Sequence, residues 1–161
     1  MSVIADVINL EKLTSQWESV GPLQICAVTT APTKGTVTVE ETWVRRLGQN
    51  LEISWNYEQT VAGTIGAGDY AVVMPSGLTI DTNITGEVLS GSNAGRSIVG
   101  TMSFVATAGD GYGYVNVRDG RHLGAFMVNP SADDVWGASG FGFAFSAAKM
   151  GFNITVPIVG W

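Results

Sequence analysis

From Leu23 onward, apolar and polar residues alternate with a period of two, and this pattern constrains the fold more than any other feature. It is clearest in Leu51–Glu58, where Leu51 and every second residue after it are apolar and the residues between them are polar. Successive side chains of a β-strand point to opposite faces, so this segment is expected to form a strand with one buried face. Similar segments recur between glycine-containing turns, and they predict about eight to ten strands. The chain is therefore expected to be all-β: a sandwich, a jelly roll or a small barrel.

Turns and loops separate the predicted strands. Asp119-Gly120 is the strongest hairpin signal, and Gly48-Gln49-Asn50 joins two further strands. Val61–Gly68, Thr82–Arg96 and Asn129–Gly140 are expected to be loops. Besides Leu51–Glu58, strands are predicted at Leu23–Val28, Thr36–Arg46, Tyr70–Met74, Leu78–Asp81, Ser97–Val105, Tyr112–Val117, His122–Val128 and Gly151–Trp161.

The segment Gly151–Trp161 alternates up to the last residue of the sequence and is predicted to be a strand throughout. A terminal tryptophan frays in water unless something holds it. Trp161 is therefore expected to pack, either in its own sandwich or against a neighbouring copy. The apolar face of this strand carries Phe152, Ile154, Val156 and Ile158, and the other face carries Asn153 and Thr155.

Residues 1–20 follow a helical period instead, and Gly21-Pro22 ends it. An isolated helix of this length is marginal in water, so the segment is expected to dock on something. Two alternatives stay open: an arm folded over its own sandwich, and an anchor that grips a partner protein. The candidate anchoring side chains are Val3, Val7, Leu10, Leu13 and Trp17.

Composition limits the partners that the chain can have. Its 161 residues suffice for one domain with a sizeable core. A net charge of -6, with 8 lysines and arginines, argues against nucleic acid. No apolar run approaches the ~20 residues needed to span a membrane, and the first residues do not resemble a secretory signal. Cys26 is the only cysteine, so neither an intrachain disulfide nor a zinc site built on cysteine pairs is expected.

Few residues are candidates for catalysis or metal binding. His122 is the single histidine and has no evident nucleophile to serve. Asp110 and Asp133-Asp134 could supply oxygen ligands, but their spacing is not that of a calcium loop, and turn chemistry accounts for them. We therefore expect a protein that is not an enzyme and has no metal and no cofactor.

The aromatic residues divide into two sets. Those on apolar strand faces are expected in the core, and the others are candidates for an oligomer interface, where aromatic rings bury much area. The core set is Trp43, Trp55, Tyr57, Phe104, Phe145 and Phe152. The interface set is Tyr112, Tyr114, Trp136, Phe141 and Trp161, and for each of these a place in the core is the alternative.

Three stretches carry a family resemblance: Trp43–Ile53, Gln59–Asp81 and Ile154–Trp161. In this order they resemble the globular modules of tailed-bacteriophage virion proteins, whose fold is like that of complement globular heads and tumour-necrosis-factor jelly rolls. The resemblance implies a jelly-roll β-sandwich and a homotrimer on capsids or at tail-fibre tips, and it brings no catalytic residues. Val44 departs from the family pattern, in which the tryptophan and the arginines are adjacent. The first 20 residues match nothing in the family.

These observations predict a virion protein assembled in the cytoplasm of a bacterial host. Residues 1–22 would form an anchoring arm, and residues 23–161 a jelly-roll knob that trimerises. The protein would be a capsid decoration (cement) protein that binds the major capsid protein or another virion protein, and neither nucleic acid nor a membrane. One alternative is a receptor-binding tip or short tail fibre that binds host-surface glycan or protein through Thr82–Arg96 and Asn129–Gly140. Another is a glycan hydrolase that uses Asp133 or Asp134.

Overall fold

The computed structural model describes residues 16–86, 97–106, 109–128, 134–135, 143 and 146–161. Within these ranges the chain forms ten strands and one single-turn helix, α1 (Thr82–Thr85), and no helix there is long and apolar enough to cross a membrane. The strands are β1 (Glu18–Ser19), β2 (Ile25–Ala27), β3 (Thr36–Leu47), β4 (Asn50–Val61), β5 (Tyr70–Val73), β6 (Ile98–Ala106), β7 (Gly109–Val117), β8 (His122–Val128), β9 (Asp134–Val135) and β10 (Ala148–Pro157).

The strands form one curled antiparallel sheet in the order β1-β3-β4-β10-β6-β7-β8-β5-β2. Strand β8 has two partners on one side: its first residues pair with β5 and its later residues pair with β9. Strand β10 lies between β4 and β6, although it is the last strand in the chain. The prediction of an all-β sandwich is confirmed.

One hydrophobic core fills the inside of the curled sheet. Trp55 of β4 and Phe152 of β10 are buried there, with their ring centres 5.3 Å apart. Tyr70 of β5 reaches the same core from the far end of the sheet. Phe143 contacts both Tyr57 and Tyr70, so it bridges the two ends. The core positions predicted for Trp55, Tyr57, Phe104 and Phe152 are confirmed, and Phe145 lies outside the described residues.

A β-bulge in β3 makes the core prediction for Trp43 wrong. Val37 and Val39 pair with consecutive residues of β4, so Thr38 is one residue too many in the ladder. An extra residue moves every side chain after it to the opposite face. Val37 therefore packs against the core, whereas Trp43 points outward and is 39% exposed. Its neighbour Val44 is fully buried instead.

The last strand ends at Pro157, so the prediction that it runs to Trp161 is wrong. Ile158 forms an isolated β-bridge with Ile80. The sequence predicts a strand at Leu78–Asp81, but this bridge is the only β-pairing found there among the described residues. A turn follows, with Gly160 at a φ of 83°. The part-buried Trp161 then packs against the core of its own chain.

The predicted N-terminal helix does not extend to Trp17. The next two residues, Glu18 and Ser19, form β1, which pairs with Trp43 and Val44 on the edge of β3. The Val20 N–H continues this pairing by donating to the Thr42 carbonyl at 3.0 Å. An open strand edge supplies backbone hydrogen bonds that favour an extended chain over a helix. The other candidate anchoring residues, Val3, Val7, Leu10 and Leu13, lie outside the described residues.

Two features fix the ends of β4. Strands β3 and β4 are joined by the two-residue loop Gly48-Gln49, in which Gly48 has a φ of 63°, as the first residue of a type II′ turn requires.

Near the other end of β4 lies the fully buried Gln59. It accepts hydrogen bonds from the Tyr57 hydroxyl (2.6 Å) and the Gly35 N–H (3.0 Å), and it donates to the Phe143 carbonyl (2.8 Å). Gln59 thereby helps to hold Phe143 between the two ends of the sheet.

Candidate interaction face

The outward-pointing side chains of β3, β4, β10, β6 and β7 form a continuous surface, here called the outer face. Strand register places one row of them directly opposite one another across five strands. The row has an aromatic residue at each end and small polar residues between. In order across the sheet, it consists of Trp43, Ser54, Asn153, Thr101 and Tyr114.

Two predicted interface residues lie together at one end of the outer face. Tyr112 is 64% exposed and Tyr114 is 39% exposed, both on β7. Val105 of β6 is 45% exposed and sits diagonally from Tyr112, because its direct partner is Asp110. We call Val105, Tyr112 and Tyr114 the tyrosine patch. The two tyrosine rings project from β7, which is hydrogen-bonded to β6 on one side and to β8 on the other, so their backbone is held in place.

Trp17 lies at the opposite end of the outer face, beside β3. Its ring centre is 4.7 Å from the guanidinium carbon of Arg45, and Arg45 also forms an ion pair with Glu52 of β4. A hollow of about 380 Å³ opens between these side chains and the strands β10 and β6. We call it the Trp17 hollow. Its polar lining is Arg45, Glu52, Thr101, Asn153 and Thr155, and Trp17 is its aromatic side chain.

A second, smaller hollow of about 240 Å³ lies farther along β10, towards Lys149. Its floor is formed by Gly151, which has no side chain, between Asn56 of β4 and Ser103 of β6. Lys149 and Glu58 form an ion pair of 3.2 Å at its rim. Val105 of the tyrosine patch and Ser103, the cross-strand partner of Tyr112, line this hollow, so it adjoins the tyrosine patch.

The remaining interface candidates do not join the tyrosine patch. Trp161 lies at the end of the sandwich near the β3–β4 loop, where the guanidinium carbon of Arg46 is 4.6 Å from its ring centre. Arg46 is paired with the fully buried Leu51 and Trp161 packs against the core, so Trp161 lies at the end of the core and not on the outer face. Trp136 and Phe141 lie outside the described residues.

His122 belongs to the β7–β8 hairpin and has a structural partner there. The Asp119 carboxylate accepts from the N–H groups of Arg121 (2.7 Å) and His122 (2.9 Å) and contacts the His122 ring nitrogen Nδ1. Burial raises the pKa of Asp119, but these hydrogen bonds outweigh burial and leave the pKa lowered. Arg121 donates to the carbonyls of Leu78 and Met74, and these hydrogen bonds hold the hairpin tip against the rest of the fold.

Other titratable groups give no cluster that could hold a metal: within the described ranges, no three histidine, cysteine or acidic side chains converge. Cys26 is half-buried, and burial raises the pKa of its thiol, which therefore stays protonated at neutral pH. Asp110 is an exposed residue of β7, and Asp134 is in β9. Asp133 lies outside the described residues.

The outer face therefore presents aromatic rings, hydroxyls, amides, the ion pairs Arg45–Glu52 and Lys149–Glu58, and the exposed carboxylates of Glu41 and Asp110. Sequence reasoning found Tyr112, Tyr114 and Trp17, but it missed Asn153 and Thr101 because an exposed polar residue on a strand carries no signal of its own. Comparison with known proteins adds nothing to this picture, since no family model, no curated protein and no solved structure matches the chain.

Proposed function

We propose that this chain is a bacteriophage virion structural protein, a capsid decoration protein whose β-sandwich self-associates as a homotrimer. The resemblance of Trp43–Ile53, Gln59–Asp81 and Ile154–Trp161 to phage virion modules supports the class of protein. The all-β sandwich is compatible with the jelly roll of those modules. The segment before β1 would bind the shell, so each trimer would add contacts between shell subunits.

The observation that carries the self-association is the tyrosine patch. An aromatic side chain buries about 150–250 Å² when it is covered, and aromatic residues are enriched among the residues that dominate binding energy. Tyr112 and Tyr114 are neighbours on one face of one strand, and Val105 extends the patch onto the next strand. In a ring of three copies, each patch would be buried against its neighbour.

Sedimentation equilibrium tests the self-association directly. We expect the mass of three chains for the wild type and a weaker association, by about tenfold or more, for the double variant Tyr112→Ser/Tyr114→Ser, because each ring would contribute more than 1 kcal/mol. Trp43→Ser is the matched control, since Trp43 has the same exposure as Tyr114 and lies at the other end of the row. A wild-type monomer, or an unchanged association in the tyrosine variant, would show the proposed interface to be wrong.

The position of the protein on the particle tests the virion role. We expect a label attached to this chain to be distributed over the whole capsid shell when purified particles are imaged. A label confined to a tail tip would instead support the receptor-binding alternative. Absence of the chain from purified particles would contradict both.

A further inference from the structure

The Trp17 hollow combines one aromatic face with uncharged hydrogen-bonding groups. Its floor crosses β4, β10 and β6, so it is two strand spacings wide, or about 10 Å. Thr101, Asn153 and Thr155 are all exposed on this floor, and none of the three makes a side-chain hydrogen bond to another described residue. Trp17 closes one side and keeps 42% of its surface exposed.

The charges beside the hollow are already neutralised within the protein. The Arg45 guanidinium contacts the Glu52 carboxylate and one face of the Trp17 ring. A charged ligand would have to break this ion pair to find a counter-charge, whereas a neutral ligand would not. The pair also holds Trp17 in place, which lowers the entropy cost of binding against its ring.

The free groups match one ligand chemistry. Hydroxyls and a carboxamide both donate and accept hydrogen bonds, as sugar hydroxyls do. The flat indole can cover the apolar C–H face of a pyranose ring. We infer that the Trp17 hollow is a binding site for a neutral saccharide of one or two rings. This inference does not depend on the virion role or on the trimer.

Fluorine NMR of protein labelled with 5-fluorotryptophan tests the site. The chain has five tryptophans, so substitution of each assigns the resonances. The probes are methyl glycosides of glucose, galactose, mannose and N-acetylglucosamine, together with maltose and lactose, and the charged comparisons are glucuronate, sialic acid and choline. We expect at least one neutral sugar to shift the Trp17 resonance in a saturable manner at millimolar concentration, and the charged compounds to leave it unchanged.

Two variants on the floor and one control distinguish a site from a general solvent effect. Asn153→Ala and Thr101→Val should each weaken the sugar titration about tenfold, the effect of losing one well-formed hydrogen bond. Trp43→Phe should titrate like the wild type, because Trp43 does not line the hollow. An unchanged Trp55 resonance shows that each variant is folded.

Three results would overturn the inference: no neutral sugar of the panel shifts the Trp17 resonance, only charged compounds shift it, or both floor variants titrate like the wild type. Sedimentation equilibrium on the same samples reports the trimer separately. Loss of sugar binding with an intact trimer therefore contradicts this site alone, and sugar binding by a monomer contradicts the proposed interface alone.

Discussion

Thr42 and Gln59 are both fully buried polar residues, yet their surroundings give them opposite effects on stability. Gln59 uses its carboxamide in three hydrogen bonds at the end of the sandwich. The Thr42 hydroxyl has no hydrogen-bond partner among the described residues. A buried polar group stabilises a fold only when it is paired, and an unpaired one costs its lost hydration.

Replacing Thr42 with valine should therefore stabilise the protein. Valine has the same shape and removes the unpaired hydroxyl, so we expect a gain of about 1 kcal/mol, which corresponds to a rise in Tm of about 3 °C. Thr38→Val is the matched control on the same strand, because Thr38 is exposed and its hydroxyl donates to the Glu58 carbonyl at 3.3 Å. Thermal unfolding measures both, and a lower Tm for Thr42→Val would contradict the interpretation.

Replacing Gln59 with leucine should have the opposite effect. It would leave the Tyr57 hydroxyl and the Gly35 N–H without an acceptor, at a cost of about 3 kcal/mol in urea unfolding. Adding Tyr57→Phe should cost less in this background than in the wild type, because the stranded hydroxyl is removed. Additive losses would show that the hydrogen bond between Tyr57 and Gln59 does not contribute.

At the scale of elements, the β7–β8 hairpin depends on Asp119. Its carboxylate accepts from two backbone N–H groups of the turn and contacts His122. The pKa of Asp119 is lowered in the folded protein despite its partial burial. As the pH falls, the unfolded chain therefore takes up the proton first, and the stability that the carboxylate contributes is lost as the pH passes through the folded-state pKa.

This linkage predicts how Asp119→Asn should depend on pH. At neutral pH the variant should be less stable than the wild type by no more than about 1 kcal/mol, because Asp119 is half-exposed and screened by solvent. The difference should shrink below about pH 4, the ordinary range of an aspartate, and vanish once the folded-state carboxyl is protonated. Urea unfolding across this range measures it, and a difference that grows with acidity would contradict the cause given.

The elements also show what the sequence pattern could predict. Long alternating runs located β3, β4 and the final strand, because inside and outside positions alternate along β4 and β10 and along β3 after its bulge. The face of Trp43 could not be predicted, because Thr38 is an inserted residue that only the pairing with β4 reveals. The helix prediction fails at Trp17 because Glu18 and Ser19 pair with the edge of β3, a tertiary feature that helical spacing does not contain. On the outer face, the sequence pattern identified Tyr112 and Tyr114 as interface candidates because they are aromatic. It could not identify Thr101, Asn153 and Thr155, because exposed polar residues on a strand are ordinary.

At the scale of the whole molecule, the structure moves the boundary between arm and sandwich. The predicted boundary at residue 22 divides β1 from its sheet, since Trp17 contacts Arg45 and Val20 packs against the core. The segment proposed to bind the shell would therefore lie before Trp17. The proposed arm and the edge strand β1 are adjacent in the chain and should respond differently to truncation.

Two truncations test this division. Removal of residues 1–15 should leave a folded, self-associating protein that no longer binds shells. Removal of residues 1–22 should in addition lower stability by about 2 kcal/mol, through lost burial of Val20 and lost strand hydrogen bonds. Thermal unfolding and co-sedimentation with undecorated shells measure the two effects. Full shell binding by the shorter truncation would refute the arm, and equal stability of the two would refute the new boundary.

The central place of β10 has a consequence for synthesis. Strands β4 and β6 are each hydrogen-bonded to β10 along most of its length and not to each other. A nascent chain that has not yet released Pro157 from the ribosome thus holds two unsatisfied strand edges and no joined core. We expect termination before β10 to yield a fragment with open strand edges that is prone to aggregate, rather than a smaller folded unit. We therefore expect the sheet to close only after β10 has been synthesised and has left the ribosome.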